Sequence, residues 1–202
     1  QEMVAGIAEA TSTADNALGK RLRRAQIGNG FVRTDDDAVV EIGREKLDLL
    51  RDVLEDMKAG YGETQEPIVV FTRFTSHDIP AIHAVCHDLG LTTSELSGPV
   101  KQLAQWQAGE TDVLVAQTQA GKEGVDLTRA RYCVFYSHGY SLGDDEQSRK
   151  RQHRPGQTRP VTYIHLIVTG TTDRTILTAL QKKQDVVTYV VDSLRKGHSD
   201  AD

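Results

Sequence analysis

Apolar positions along the chain follow two alternating rhythms. Leu47, Leu50, Leu54 and Met57 recur every three or four residues, which predicts a helix from about Arg44 to the glycines at 60 and 62. "PIVVF" at 67–71 is instead a short unbroken apolar run with β-branched side chains, the pattern of a strand covered on both faces. Ile79, Ile82, Cys86 and Leu89 predict a helix closed by Gly90, and "TTSEL" the next strand. Val100, Leu103 and Trp106 mark a short helix stopped by Gly109. "DVLVA" (112–116), "YCVFY" (132–136) and "VTYIHLIV" (161–168) read as three further strands. A long helix follows, capped by Thr172 or Asp173 and carrying Ile176, Leu180, Val187, Val191 and Leu194.

Strands alternating with helices at this spacing predict an α/β fold, a parallel sheet with helices on both faces. Residues 1–40 are poorer in apolar side chains. Ile7, Leu18 and Leu22 suggest helix, with Gly28 and Gly30 as stops, so a helical N-terminal extension is expected ahead of a domain at 41–202. "DDDAVVEIG" reads as a solvated turn, because calcium would need acids at alternate positions and a glycine at the sixth.

Charge sharpens this picture. The formal net charge is -5, which argues against a protein that coats nucleic acid indiscriminately. Yet "QSRKRQHRPGQ" at 147–157 contains Arg149, Lys150, Arg151 and Arg154 with no acid, and Lys20, Arg21, Arg23 and Arg24 form a second basic cluster. Cys86 and Cys133 sit far apart in apolar surroundings and read as reduced core residues. With no run near the ~20 apolar residues of a membrane span and no signal-peptide layout, a cytoplasmic protein is expected.

In parallel sheets, ligands bind outside the carboxyl ends of the strands. The loop after "DVLVA" reads "QTQAGKEGVDLT". Gly121 and Gly124 let its backbone approach a ligand closely, Asp126 can accept from sugar hydroxyls, and Thr118 can donate to phosphate. A plain Gly-rich surface loop is the alternative. Its Gly-Lys pair is no P-loop: Ala116 and Glu123 stand where glycine and Ser/Thr are needed, and no P-loop occurs elsewhere. In the basic run, Arg151 and Arg154 share a face if that part is helical, making a guanidinium fork suited to a phosphoryl group. A solvated basic helix and a nucleic-acid patch are the alternatives.

"TQAGKEGVDLT" followed by "QSRKRQHRPGQ" resembles motifs five and six of the Swi/Snf-type branch of superfamily-two helicases, ATP-driven translocases on double-stranded DNA built from two RecA-like lobes. "EIGREKLDLL" resembles the lead into the second lobe, "PIVVFTRFTS" motif four, and "ELSG" with "QLAQWQAGETDVLV" a shortened form of the block between motifs four and five. The resemblance covers about Glu41 to Lys196 and implies a RecA-like three-layer fold, with residues 1–40 as an extension or inter-lobe segment. It implies that Arg151 and Arg154 reach the γ-phosphate across a cleft, with Arg154 as the arginine finger, and that Gln147 positions the nucleotide-facing helix. Gly124 and Asp126 would face the nucleotide, while Thr118, Thr72 and Arg73 would face the DNA backbone.

Three departures stand out. Arg73 replaces a frequent glutamine, and the block at 97–105 is short. Neither a P-loop nor a strand-end Asp-Glu pair for magnesium is present. The chain is therefore expected to be a fragment or one half of a split enzyme, with ATP and magnesium held mainly by an absent first lobe. By itself it should bind nucleotide weakly and hydrolyse none. The rival reading is a non-catalytic nucleic-acid or protein docking module.

Other signals carry less. His83 and His87 flank Cys86 at a spacing that can grip zinc, but without the glutamate of a zinc-protease motif. Ser137 beside His138 lacks a nucleophile elbow. Asp144, Asp145 and Glu146 suit a helix start, and Trp106 suits the core.

Overall fold

The computed structural model describes residues 3–7, 10–14, 16–60, 65–120, 125–138 and 160–182, with side chains from residue 16 onward. Its centre is a five-stranded sheet made of β5 (Ile68–Thr72), β6 (Thr93–Leu96), β7 (Val113–Gln117), β8 (Tyr132–Phe135) and β9 (Thr162–His165). The strand order is β6-β7-β5-β8-β9 and every pairing is parallel. All five coincide with expected strands; the unbroken apolar runs belong to the inner three, β5, β7 and β8, where both faces are covered and no solvated side is left to alternate with, whereas the edge strands β6 and β9 are more polar and only partly buried.

The two faces use alternate residues of the same strands. Ile68 and Val70 of β5 point to one side with Val113, Val115 and Val134, beneath helix α2 (Glu45–Gly60) and helix α3 (Asp78–Asp88). Leu47, Leu50, Leu54 and Met57 of α2 pack there with Ile79, Ile82, Val85 and Cys86 of α3. Val69 and Phe71 point the other way with Leu114, Ala116, Cys133 and Phe135, under the single turn-and-a-half of α4 (Leu103–Ala108) and the segment containing Val125 and Leu127. The two cysteines therefore lie buried on opposite faces of the sheet.

Trp106 closes that second face. It is fully buried, its indole N–H donates to the Asp112 carbonyl, and Arg129 lies 5.0 Å over its ring while bonding the carbonyls of Trp106 and Thr111. Gly109 ends α4 in the left-handed region, φ 86°, where a side chain would be strained.

The N-terminal part differs from the expected helix. Residues Met3–Ile7 (β1) and Ala10–Ala14 (β2) pair as an antiparallel hairpin, and helix begins only at α1 (Ala17–Gly28), where the Asn16 side chain accepts from the Gly19 N–H at 2.7 Å. After α1, β3 (Phe31–Arg33) and β4 (Val39–Glu41) form a second hairpin around the acidic turn. Asp37 sits in the left-handed region there, φ 70°, with Arg33 bridging to it at 2.9 Å. Helical residues 173–182 (α5) follow β9 and bury Ile176 and Leu180; Val187, Val191 and Leu194 lie outside the described residues. Among the described residues no helix is long and apolar enough to cross a membrane.

Candidate functional site

The carboxyl ends of β5 and β8, neighbours in the sheet, are stitched together by side chains. Thr72, the last residue of β5, donates to the Asp78 carboxylate at the start of α3, and its hydroxyl lies 3.0 Å from that of Ser137. Ser137, two residues beyond β8, accepts from the Arg73 N–H at 2.7 Å and reaches the same Asp78 oxygen at 3.3 Å. Thr118, just past β7, donates through both its backbone N–H and its hydroxyl to the Thr72 carbonyl, at 2.8 and 3.1 Å. The ends of three strands thus converge on Thr72.

Asp78 also accepts from the Asn29 side chain at 2.7 Å, and Asn29 in turn accepts from Lys46 at 2.9 Å. Lys46 is 2% exposed and pairs with Asp173 at 2.6 Å, and Asp173 accepts further from the Val168 N–H at 3.3 Å. Burial pulls the Lys46 ammonium below the usual lysine range, partly offset by Asp173 and Asp78. One polar chain therefore runs from the end of β8 through α3, the C-cap of α1 and the start of α2 to α5. The sequence reading did not find it. The available signal was Lys46 itself, which falls four residues before Leu50 and eight before Leu54 on the stripe that faces the sheet.

Three residues expected to face DNA, Thr72, Arg73 and Thr118, do lie together, but in different states. Thr72 requires a correction. It is fully buried and its hydroxyl is bonded to Asp78 and Ser137, so this side chain holds the strand ends and is not presented to a phosphate backbone. Arg73 is half-buried and spreads its guanidinium over the Phe74 ring, 5.4 Å from its centroid. Thr118 is half-buried with its hydroxyl donated inward.

Asp126 lies elsewhere, exposed against α4. Its carbonyl accepts from Gln107 at 2.8 Å, and one carboxylate oxygen caps the next turn through the Thr128 N–H and hydroxyl, at 2.9 and 2.7 Å. Gly124, Gln147, Arg151 and Arg154 lie outside the described residues.

Thr72→Val, which keeps the shape and removes the hydroxyl, is expected to cost about 1–3 kcal/mol of stability by leaving Asp78 short of a donor. Chemical denaturation would measure that cost. Duplex affinity is expected to stay unchanged in the same variant; weaker DNA binding at unaltered stability would return Thr72 to the contact surface.

The other sequence signals resolve into structure. His83 bonds the Thr93 hydroxyl at 2.8 Å, His87 is exposed, and Cys86 is buried in the core beneath α3, where burial pushes its thiol up to about 12. No cluster of three or more potential ligands occurs among the described residues. Ser137 serves the strand ends, while His138, beside it, stacks with Phe135 and lies 3.2 Å from the His165 ring nitrogen.

Residues 45–156 match the model of the helicase conserved C-terminal domain. The chain is 35% identical over 99 residues to a chromatin-remodeling ATPase, INO80, of Mycosarcoma maydis, covering 48% of this chain and 5% of that protein. With the INO80 of Cryptococcus neoformans it shares 28% identity over 151 residues, 72% of this chain and 8% of the other. The chain thus corresponds to a small part of these curated relatives. In structure it is similar to the C-terminal part of the Fun30 ATPase domain, with a TM-score of 0.59 and 22% identity over 67% of this chain and 44% of that one. The Pyrococcus furiosus Hef helicase domain aligns with a TM-score of 0.53 and 25% identity, over 66% and 27%.

Proposed function

Since the chain belongs to the helicase conserved C-terminal domain family and is a RecA-like lobe of its Swi/Snf-type branch, we propose that it works as the second lobe of an ATP-driven translocase on double-stranded DNA. In this reading it brings an arginine finger, Arg154 with Arg151 beside it, to ATP bound on the first lobe, and it contributes part of the grip on the DNA backbone. Neither a P-loop nor a strand-end Asp-Glu pair occurs in the sequence, so ATP and its magnesium ion are assigned mainly to that first lobe.

The observation that carries the reading is the joining of β5 and β8 at their carboxyl ends. Ser137 fixes the Arg73 N–H, so the loop that would grip DNA is tied directly to the end of β8, the strand that precedes the Arg151–Arg154 run in the sequence. A lobe that must relate DNA contact to nucleotide contact needs those two loops held in fixed register. Of the expected DNA contacts, Arg73 suits this role best, because a guanidinium can reach phosphate oxygens without reading base sequence. Thr118 would add a contact only by exchanging its inward hydrogen bond.

The test is hydrolysis in two settings. The chain alone is expected to release no phosphate from ATP. With a first RecA-like lobe supplied in trans, it is expected to show ATP hydrolysis that rises when duplex DNA is added. Turnover by the chain alone would mean a free-standing hydrolase. Duplex binding with no stimulation by any added first lobe would instead favour the docking module.

A further inference from the structure

The Thr72 carbonyl and the Arg73 N–H belong to a single peptide group, and both are held from neighbouring strand ends. On one side Thr118, just past β7, donates its N–H and its hydroxyl to the carbonyl, at 2.8 and 3.1 Å. On the other, the Ser137 hydroxyl accepts from the N–H at 2.7 Å. The carbonyl and N–H of a trans peptide point in opposite directions, here toward β7 and β8, the two neighbours of β5 in the sheet. The Arg73 Cα lies in the same plane, so pinning the peptide fixes the point from which the Arg73 side chain departs.

The protons of this cluster have a definite order. Thr72 has one hydroxyl proton and gives it to Asp78, so across the 3.0 Å contact between the two hydroxyls Ser137 is the donor. A chain then runs from the Arg73 N–H to Ser137, to Thr72 and to the Asp78 carboxylate, each hydroxyl accepting one bond and donating the next. Bonds ordered this way polarise and strengthen one another. Asp78 does not depend on Ser137 for its partners. Thr72 and Asn29 donate to one of its oxygens, the latter at 2.7 Å, and the His77 ring nitrogen lies 3.2 Å from the other. What Ser137 supplies is the acceptor for the Arg73 N–H. Among the described residues, backbone bonding between β5 and β8 ends at the Phe71 carbonyl, which accepts from the Tyr136 N–H at 2.9 Å. Beyond that point the Ser137 side chain makes the link.

We propose that Ser137 is a positioning residue through which duplex DNA raises ATP turnover. The proposal rests on the translocase reading of the lobe and names the residue that couples its two contacts. A phosphate gripped by Arg73 restrains the Thr72–Arg73 peptide, and Ser137 passes that restraint to the end of β8, the strand that precedes the Arg151–Arg154 run in the sequence. Ser137, 3% exposed, itself touches neither DNA nor nucleotide.

The test is steady-state phosphate release by the chain combined with a first RecA-like lobe, titrated with random-sequence duplex DNA. Ser137→Ala is expected to lower the plateau of turnover at saturating duplex about two- to tenfold, the effect of one lost hydrogen bond, while turnover without DNA stays at the wild-type level. Reading the plateau separates this from weaker DNA binding, which additional duplex makes up. Ser137→Thr, which keeps the hydroxyl, should restore the plateau. Thr72→Val is the control for stability. It weakens the same cluster but leaves Ser137 bonded to the Arg73 N–H, with Asp78 at 3.3 Å to take its proton, so its plateau should match wild type. An unchanged plateau in Ser137→Ala overturns the role of Ser137 and leaves the translocase reading standing. Equal loss in Thr72→Val, in step with stability lost by chemical denaturation, would make Ser137 a purely structural residue and also overturns the proposal. Wild type whose ATP turnover does not rise with duplex removes the translocase reading and this proposal with it. Should Ser137→Ala fail to fold, hydrogen exchange at the Arg73 amide of the wild-type chain decides: slow exchange supports the held peptide, and exchange at the rate of an open loop overturns it.

Discussion

Arg154→Ala, assayed with a first RecA-like lobe and saturating duplex DNA, is expected to lose roughly 10³-fold or more of ATP turnover, in line with the ~10³–10⁵ that an arginine finger contributes in nucleotide hydrolases. The reason is electrostatic. Charge builds on the transferred phosphoryl group as the reaction proceeds, and a guanidinium fixed beside it stabilises that charge in a site from which water is excluded. A residue acting this way lowers the barrier more than it strengthens substrate binding, so the loss should fall on kcat with little change in KM. Arg154→Lys should recover only a small part, because an ammonium cannot present the planar pair of donors that the fork supplies. Arg151→Ala should fall between that variant and wild type. The measurement is steady-state phosphate release, with duplex affinity followed in parallel. Unchanged turnover in Arg154→Ala, with stimulation by DNA intact, would remove the finger from this chain.

The central sheet was legible in the sequence because its physics is local. A strand covered on both faces must be apolar throughout, so "PIVVF", "DVLVA" and "YCVFY" announce themselves, and the helix stripes at 47–57 and 79–86 follow from having one face on that sheet. Stops were legible for the same reason: Gly90 and Gly109 take the left-handed conformation that other residues resist. The N-terminal part was not. Residues 3–14 are mostly small, Ala, Gly, Ser and Thr with few large apolar side chains, a composition that favours neither helix nor strand strongly, and pairing between the two halves of the hairpin decides the outcome. The stretch 35–43 was read as one solvated turn; only residues 35–37 turn, and Val39–Glu41 within it pair as β4, because three-residue strands are too short to show a period.

The expected site reads differently as a location and as contacts. It was placed in the loops at the carboxyl ends of β5, β7 and β8, and the structure brings Thr72, Arg73 and Thr118 together there. What the linear pattern could not show is the direction of a small hydroxyl. Thr72 ends an apolar strand, and whether its Oγ1 turns to solvent or inward depends on Asp78 and Ser137, 6 and 65 positions away. Asp126 illustrates the same limit, since its carboxylate serves a local turn that any Asp two residues before a threonine can make.

Lys46→Ala is expected to destabilise the chain by about 3–5 kcal/mol, measured by chemical denaturation. In the folded chain Lys46 is the cation between Asp173 and Asn29, and through Asn29 it borders Asp78. Removing it leaves the Asp173 carboxylate, 3% exposed, with only the weaker Val168 N–H as a partner among the described residues, and it opens a cavity above the Tyr136 ring, over which the ammonium lies at 5.6 Å. An uncompensated buried charge costs far more than the pair contributes, since burial already penalises the ammonium itself. Hence a sharper expectation: Lys46→Met/Asp173→Leu, which removes both charges and keeps the volume, should recover most of the loss. Recovery should be incomplete, because the Asn29 carbonyl oxygen and the Val168 N–H still lose a partner. If the double variant is instead as unstable as the two single losses added together, the pair is not coupled and the polar chain joining α1, α2 and α5 does not act as one unit. If it recovers in stability but loses DNA-stimulated turnover in the reconstituted enzyme, the buried charges serve to hold the N-terminal helix and the β5–α3 loop in register, a positioning role separate from their contribution to folding.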